Sequence, residues 1–244
     1  MRRSSRAGVT LMELVIAVSM LALLSTGVLM ALRMGVNALG KANATINENR
    51  RIAGAQRIIE QQIAGFVPVI AEYMTEPETP FLRMPFFQGE AESMRFVSTY
   101  SLGEAWRGSP QTLEFKVIPG KDGQGVMLVV NEHPYTGPRG PGVFCLGRTI
   151  DPALGMDVPL FRPIEVGANS FVLADRLASC RFSFLAPPLP PLAEHWVSRW
   201  TLPRWPLAIR IEMTPIEANP ARLQPLALTA PVRVSRQPGE VYAY

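Results

Sequence analysis

The run Gly8-Val9-Thr10-Leu11-Met12-Glu13-Leu14 opens a long apolar stretch, VTLMELVIAVSMLALLSTGVLMALR, and its reading decides the fold. From Leu14 to Leu32, nineteen residues carry no formal charge, bracketed by Glu13 and Arg33. As an α-helix that run spans about 28 Å, close to the ~30 Å hydrocarbon core of a bilayer. Arg2, Arg3 and Arg6 precede it, and Arg33 is the first base after it. The positive-inside rule then predicts a cytoplasmic N-terminus with the rest of the chain across the membrane. A cleaved secretory signal is the ordinary alternative. Its apolar region usually runs about 7–15 residues, shorter than this one. No clear small-x-small site follows, and Ser25-Thr26-Gly27 lies inside the apolar stretch.

The 244 residues allow one domain with an appendage, or two small domains. With 18% charged and 48% hydrophobic residues the chain is not a disordered tail. The 24 basic and 20 acidic side chains give a net charge of +4, but Arg2, Arg3 and Arg6 supply most of that excess. The remainder is close to neutral, so no nucleic-acid partner is expected. Two cysteines exclude a disulfide-dense scaffold and a four-cysteine zinc site. The 23 prolines, about twice the ordinary share, predict a loop-rich, β-leaning body.

Glu13 is the sharper feature. A carboxylate on an apolar helix costs about 2.5–3.5 kcal/mol at the bilayer centre, so it either reaches the headgroups or takes a cation. A cut after Gly8 would create one, the α-amino group of Val9, which on a neighbouring copy could pair with Glu13. The string from Gly8 to Leu14, directly after a short basic leader, resembles the processing motif of the type IV prepilins. Gly8, Thr10, Leu11, Glu13 and Leu14 match; Val9 stands where that family usually has phenylalanine or methionine. The resemblance implies cleavage after Gly8 by a prepilin peptidase, N-methylation of Val9, and a role for Glu13 in subunit assembly.

No proline occurs before Pro68. Ile52, Ala55, Ile59, Ile63 and Phe66 recur at spacings of three and four, one apolar stripe of an amphipathic helix. Lys41 to Arg51 is polar except for Ile46 and reads as an exposed stalk or bridging turn. One helix from Leu11 to Val67 would reach about 85 Å; glycines at 27, 35, 40, 54 and 65 would weaken or bend it. An independent helical linker fits the same periodicity.

From Met94 the period changes to two. Leu113, Phe115 and Val117 alternate with Glu114 and Lys116, and PGKDGQG turns into Val126–Val130. Cys180, Phe182 and Phe184 alternate with Arg181 and Ser183; Leu207, Ile209, Ile211 and Met213 with Arg210 and Glu212; Val232 and Val234 flank Arg233. Each run predicts a strand with one buried and one wet face. The expected fold class is α+β: a long N-terminal helix packed on an antiparallel body of two small sheets or one folded sheet, pilin-like. The expected division is a basic leader at 1–8, a membrane and assembly helix at 9–33, its periplasmic continuation at 34–67, and a β-rich body with proline-rich loops at 68–244.

Within the pilin-like superfamily, Phe86-Phe87-Gln88-Gly89, Met94-Arg95-Phe96-Val97 and Leu113-Glu114-Phe115 resemble the first β-region of the type II secretion minor pseudopilin J. Leu177 to Phe184, then Trp196, Trp200, Leu202-Pro203 and Leu207 to Ile211, resemble its later pattern. Proline-rich inserts at 134–141 and 187–206 are longer than that pattern. The resemblance implies a non-enzymatic subunit near the tip of a periplasmic pseudopilus. It would be anchored in the inner membrane beside I-type and K-type minor pseudopilins and the major pseudopilin, and would help start the fibre and export folded proteins. A minor pilin of a type IV pilus or DNA-uptake apparatus fits the same segment, and a large body argues against a major fibre subunit. A membrane-anchored periplasmic enzyme or binding protein is the alternative of another class.

No catalytic constellation emerges. His133 and His195 lie far apart, Asp122, Asp151 and Asp157 are scattered, and Ser170 and Ser179 lack an elbow motif, so no metal, cofactor or catalytic residue is assigned. Cys145 and Cys180 would share an oxidising compartment, as a disulfide worth about 3.5–4 kcal/mol in the chain-entropy view or as two buried thiols. Trp196, Trp200 and Trp205, among prolines, either cap a core or face a partner.

Overall fold

The computed structural model describes residues 10–74, 81–103, 107–121, 123–152, 155–188, 193–216 and 226–232. Its contacts fall into two units divided between Arg50 and Arg51. One helix, α1 (Leu11–Ala64), runs through both. It passes without a break through Lys41–Arg51, where the sequence suggested a stalk or turn. A polar composition removes a buried face but not the backbone ladder, and this stretch has alanines, arginines and no proline. The helix stops at Gly65, whose N–H donates to the Gln61 carbonyl at 2.9 Å. A Cβ there would lie 2.7 Å from Ser98 Oγ, so glycine lets the chain leave the helix against the neighbouring strand.

The strands are β1 (Phe66–Val67), β2 (Ile70–Tyr73), β3 (Leu82–Pro85), β4 (Gln88–Gly89), β5 (Ser93–Tyr100), β6 (Arg107–Pro119) and β7 (Val126–Pro134). A one-turn helix, α2 (Arg139–Gly142), precedes β8 (Cys145–Ile150), β9 (Asp157–Phe161), β10 (Phe171–Ala186), β11 (His195–Val197), β12 (Ala208–Pro215) and β13 (Leu226–Pro231). Among the described residues they form one antiparallel sheet in the order β1-β5-β6-β7-β10-β12-β13, with β4 on β5 and β11 on β10. Two separate hairpins, β2–β3 and β8–β9, complete the body. The architecture is α+β.

Period-two patterning places the core. Phe96, Leu113, Phe115, Leu128, Val130, Phe182, Phe184, Ile209 and Ile211 are all buried on one face of the sheet, packed with Ala55, Ile59, Ile63 and Phe66 of the helical stripe. Phe96 stacks on Phe115 and on Phe66, with ring centroids 5.7 and 5.4 Å apart. The Ile52 side chain lies outside the described residues. The β6–β7 turn falls at PGKDGQG, closed by Gly120 N–H donating to the Gly125 carbonyl at 2.9 Å. Gly125 has φ +65°, and a Cβ there would lie 2.2 Å from the Leu177 carbonyl oxygen. Asp122 lies outside the described residues.

Two expectations need correction. Glu114 was assigned to a wet face, yet it is buried, as is Arg95 beside it. The outer face of β5–β7 is not wet because a second layer covers it, with a small core of Val69, Ala71, Phe86 and Val97 against Phe144 and Phe161. Leu207 precedes its strand and is exposed, whereas Ile209, Ile211 and Met213 are buried. The last strand is described to Pro231; Val232 beyond it is buried and its N–H donates to the Leu207 carbonyl at 2.9 Å, while Arg233 and Val234 lie outside the described residues.

Candidate functional site

The first candidate is the apolar half of α1. Leu11–Asn43 is long and apolar enough to cross a membrane, and none of its most apolar window is buried within the chain. Leu14, Ile16, Leu21, Leu24, Leu29 and Leu32 are all exposed to solvent in the isolated chain. So many exposed leucines, isoleucines and valines on one helix need another apolar phase, lipid or neighbouring helices. Length and composition make this half of the helix compatible with a single membrane span.

The start of this helix is built locally. Thr10 is the N-cap residue: its Oγ1 accepts the Glu13 N–H at 3.3 Å, and its carbonyl accepts Glu13 and Leu14 N–H at 3.1 and 3.2 Å. Glu13 therefore sits at the third helical position of a Thr-x-x-Glu pattern, where a carboxylate also meets the positive end of the helix dipole. This local role was not read from the sequence, although the spacing was there to see. Gly8 and Val9 lie outside the described residues. Ser19 and Thr26 return their hydroxyl protons to the Val15 and Ala22 carbonyls, each at 2.7 Å, which lets polar side chains sit in an apolar helix.

The second candidate is a buried polar cluster on the outer sheet face. Strand register aligns Arg95 of β5, Glu114 of β6 and Asn131 of β7 side by side. Arg95 Nε and Nη2 donate to Glu114 Oε1 at 2.7 and 2.6 Å, and Nη1 donates to the Gln88 side-chain carbonyl. Glu114 Oε2 accepts from Asn131 Nδ2 at 3.0 Å and meets His133 Nε2 at 3.1 Å. The Arg95 guanidinium also lies over the Phe144 ring, 4.7 Å from its centroid. Burial pulls Arg95 below its ordinary value despite Glu114. Burial pushes Glu114 up, but bonds from Asn131, Arg95 and His133 outweigh it and hold the carboxyl below its ordinary value. The sequence signal was present in Val126–Val130, an unbroken apolar run of the kind seen when both faces of a strand are covered.

The remaining sequence candidates scatter. His195 Nδ1 faces the Ala193 carbonyl at 3.1 Å. Asp151 is buried and paired with Arg199, and Asp157 pairs with Arg148. Ser170 Oγ donates to Asn131 Oδ1, and Ser179 lies in β10. Among the described residues no three His, Cys, Asp or Glu side chains converge as a metal site. Cys145 and Cys180 are unbonded thiols in different places: Cys145 of β8 packs with Tyr73 and Met84 of the β2–β3 hairpin, Cys180 in the main core. Burial pushes both thiols up, Cys180 to about 12. Trp200 and Trp205 belong to the main core, with Trp200 edge-on to Phe87 and Phe184. Trp196 is instead half-buried on β11 beneath Arg210, 4.0 Å from guanidinium to ring centroid.

No protein-family model matches this chain, and no curated protein matches it either.

Proposed function

We propose that this chain is a minor pseudopilin of a type II protein secretion system, a structural subunit near the tip of a periplasmic pseudopilus. One observation carries the reading: a membrane-length helix with its apolar surface uncovered in the lone chain bears an acid in its first turn, directly behind Gly8-Val9-Thr10-Leu11-Met12. A helix whose second half lies on an antiparallel sheet suits a pilin-like architecture. In this reading the chain enters the inner membrane with its N-terminus cytoplasmic. A prepilin peptidase cuts after Gly8, and Val9 becomes the methylated terminus. Glu13 then pairs with the amine of a neighbouring subunit as apolar helices gather into the fibre. The partners are I-type and K-type minor pseudopilins and the major pseudopilin, and the role is non-enzymatic.

N-terminal sequencing of membrane-extracted protein should begin at Val9, and Gly8→Ala should leave the leader in place. An intact Met1 terminus in cells that contain the peptidase sinks the proposal. Glu13→Leu should insert normally yet fail to co-purify with the other subunits. Co-purification with a secretin-linked secretion complex, rather than with a surface pilus, separates the proposal from its nearest relative function.

A further inference from the structure

The segment 162–170 crosses the outer face of β5–β7 outside every strand, and side chains of the sheet hold its backbone. Arg95 Nη2 donates to the Arg162 carbonyl at 3.0 Å, Lys116 Nζ to the Ile164 carbonyl at 2.6 Å, and Asn131 Nδ2 to the Glu165 carbonyl at 2.8 Å. Ser170 Oγ donates to Asn131 Oδ1 and accepts the Gly167 N–H at 3.0 Å, closing the far end. Three neighbouring strands thus grip one connection through polar side chains. Beneath the grip, Glu114 orients both Arg95 and Asn131.

We propose that segment 162–170 is a charge-latched strap: it lifts from the sheet as a unit while the helix-and-sheet core stays folded, and the Glu114 carboxylate is the latch. The energetic reason is the difference in what holds the two layers. The main core is a large apolar cluster joined by strand ladders, whereas the strap has one buried apolar side chain, Ile164, and one backbone bond, from Arg162 N–H to the Phe144 carbonyl, and is otherwise held by side-chain hydrogen bonds that need charged or oriented donors. Neutralising Glu114 leaves the Arg95 charge buried without its counter-ion, and the guanidinium then regains water by displacing the strap. The charged and titratable groups in contact with Glu114 are Arg95 from β5 and His133 from β7; Glu90 and Arg162 act on Arg95, Lys116 holds the Ile164 carbonyl, and Glu165 is gripped through its backbone carbonyl.

Limited digestion of the full chain in detergent with a glutamyl-specific protease tests this, reading the cut after Glu165 relative to the cut after exposed Glu194. Glu114→Gln should speed the Glu165 cut about 10–100-fold at neutral pH while the main unfolding transition persists. Lys116→Met, which removes only the Ile164 contact, should speed it less and serves if Glu114→Gln does not fold. In the unaltered protein the Glu165 cut should accelerate as pH falls through the carboxylate range, and His133→Gln should keep that response. Unchanged cutting in folded variants, loss of the core transition together with the strap in Lys116→Met or in the unaltered protein at acid pH, or an acid response abolished by His133→Gln would each overturn the proposal.

Discussion

Glu114 divides its two oxygens between two strands, Oε1 to Arg95 of β5 and Oε2 to Asn131 of β7, and these bonds require its carboxylate form. Its folded value lies below the ordinary 4.5, so the unfolded chain takes up the proton first as pH falls. The contribution to stability is complete above about 4.5 and is lost as pH drops through the lower folded value. Urea midpoints of the full chain should therefore decline below that pH, and Glu114→Gln should flatten the decline while lowering the midpoint at neutral pH. Gln62 offers the opposite case. It is fully buried on the helix, and its side-chain nitrogen and oxygen have no hydrogen-bond partner among the described residues. Gln62→Met keeps the volume and removes the desolvation penalty, so calorimetry should show a gain of about 1 kcal/mol. For the cysteines, denaturation without reductant should release two reactive thiols, and both should alkylate slowly while the protein is folded. A single disulfide-sized mass deficit with no reactive thiol would contradict the buried-thiol arrangement.

At the scale of the element, the same helix meets two different environments. Ile59 and Ile63 pack within the main core, so Ile63→Ala should cost about 2–5 kcal/mol in the body's unfolding free energy. Leu24 lies on the apolar half and is exposed in the lone chain, so Leu24→Ala should leave that transition within about 0.5 kcal/mol. Thermal unfolding of the two variants in the same detergent compares them directly; equal losses would mean that the apolar half is part of the body's folding unit. The strands follow a similar logic. Alternation in β6 and β12 marked the inner face correctly because the large core selects for it. The outer face of β6 is buried, not wet, because Arg, Glu and Asn side chains on a strand can lie under a covering layer when each finds a partner.

At the scale of the whole molecule, the apolar segment is compatible with a single membrane span, and the main apolar core lies in the β-rich body. Alkaline extraction should leave the full chain in the membrane pellet, whereas a chain lacking residues 1–50 should move to the supernatant with a cooperative unfolding transition. A full chain released by alkaline wash would argue against a spanning helix. The body concentrates its apolar surface inward through one sheet and one helix face, while the N-terminal half of α1 keeps its apolar surface outward.

The sequence alone determined the features that depend on local periodicity. These are the membrane-length apolar run, the Ile59 and Ile63 stripe, the alternating strands, the β6–β7 turn and the Thr10-x-x-Glu13 start. Each is set by residues within a few positions of one another, through helical or strand spacing, turn geometry and capping. Tertiary structure decided the rest: the order of strands in the sheet, the hairpin layer over its outer face, the separate burial of Cys145 and Cys180, and the Arg95–Glu114–Asn131 row. Those arrangements depend on which distant strands pair and which loop folds back. A polar residue in a strand takes its meaning, wet or buried, from whatever the rest of the chain lays over it.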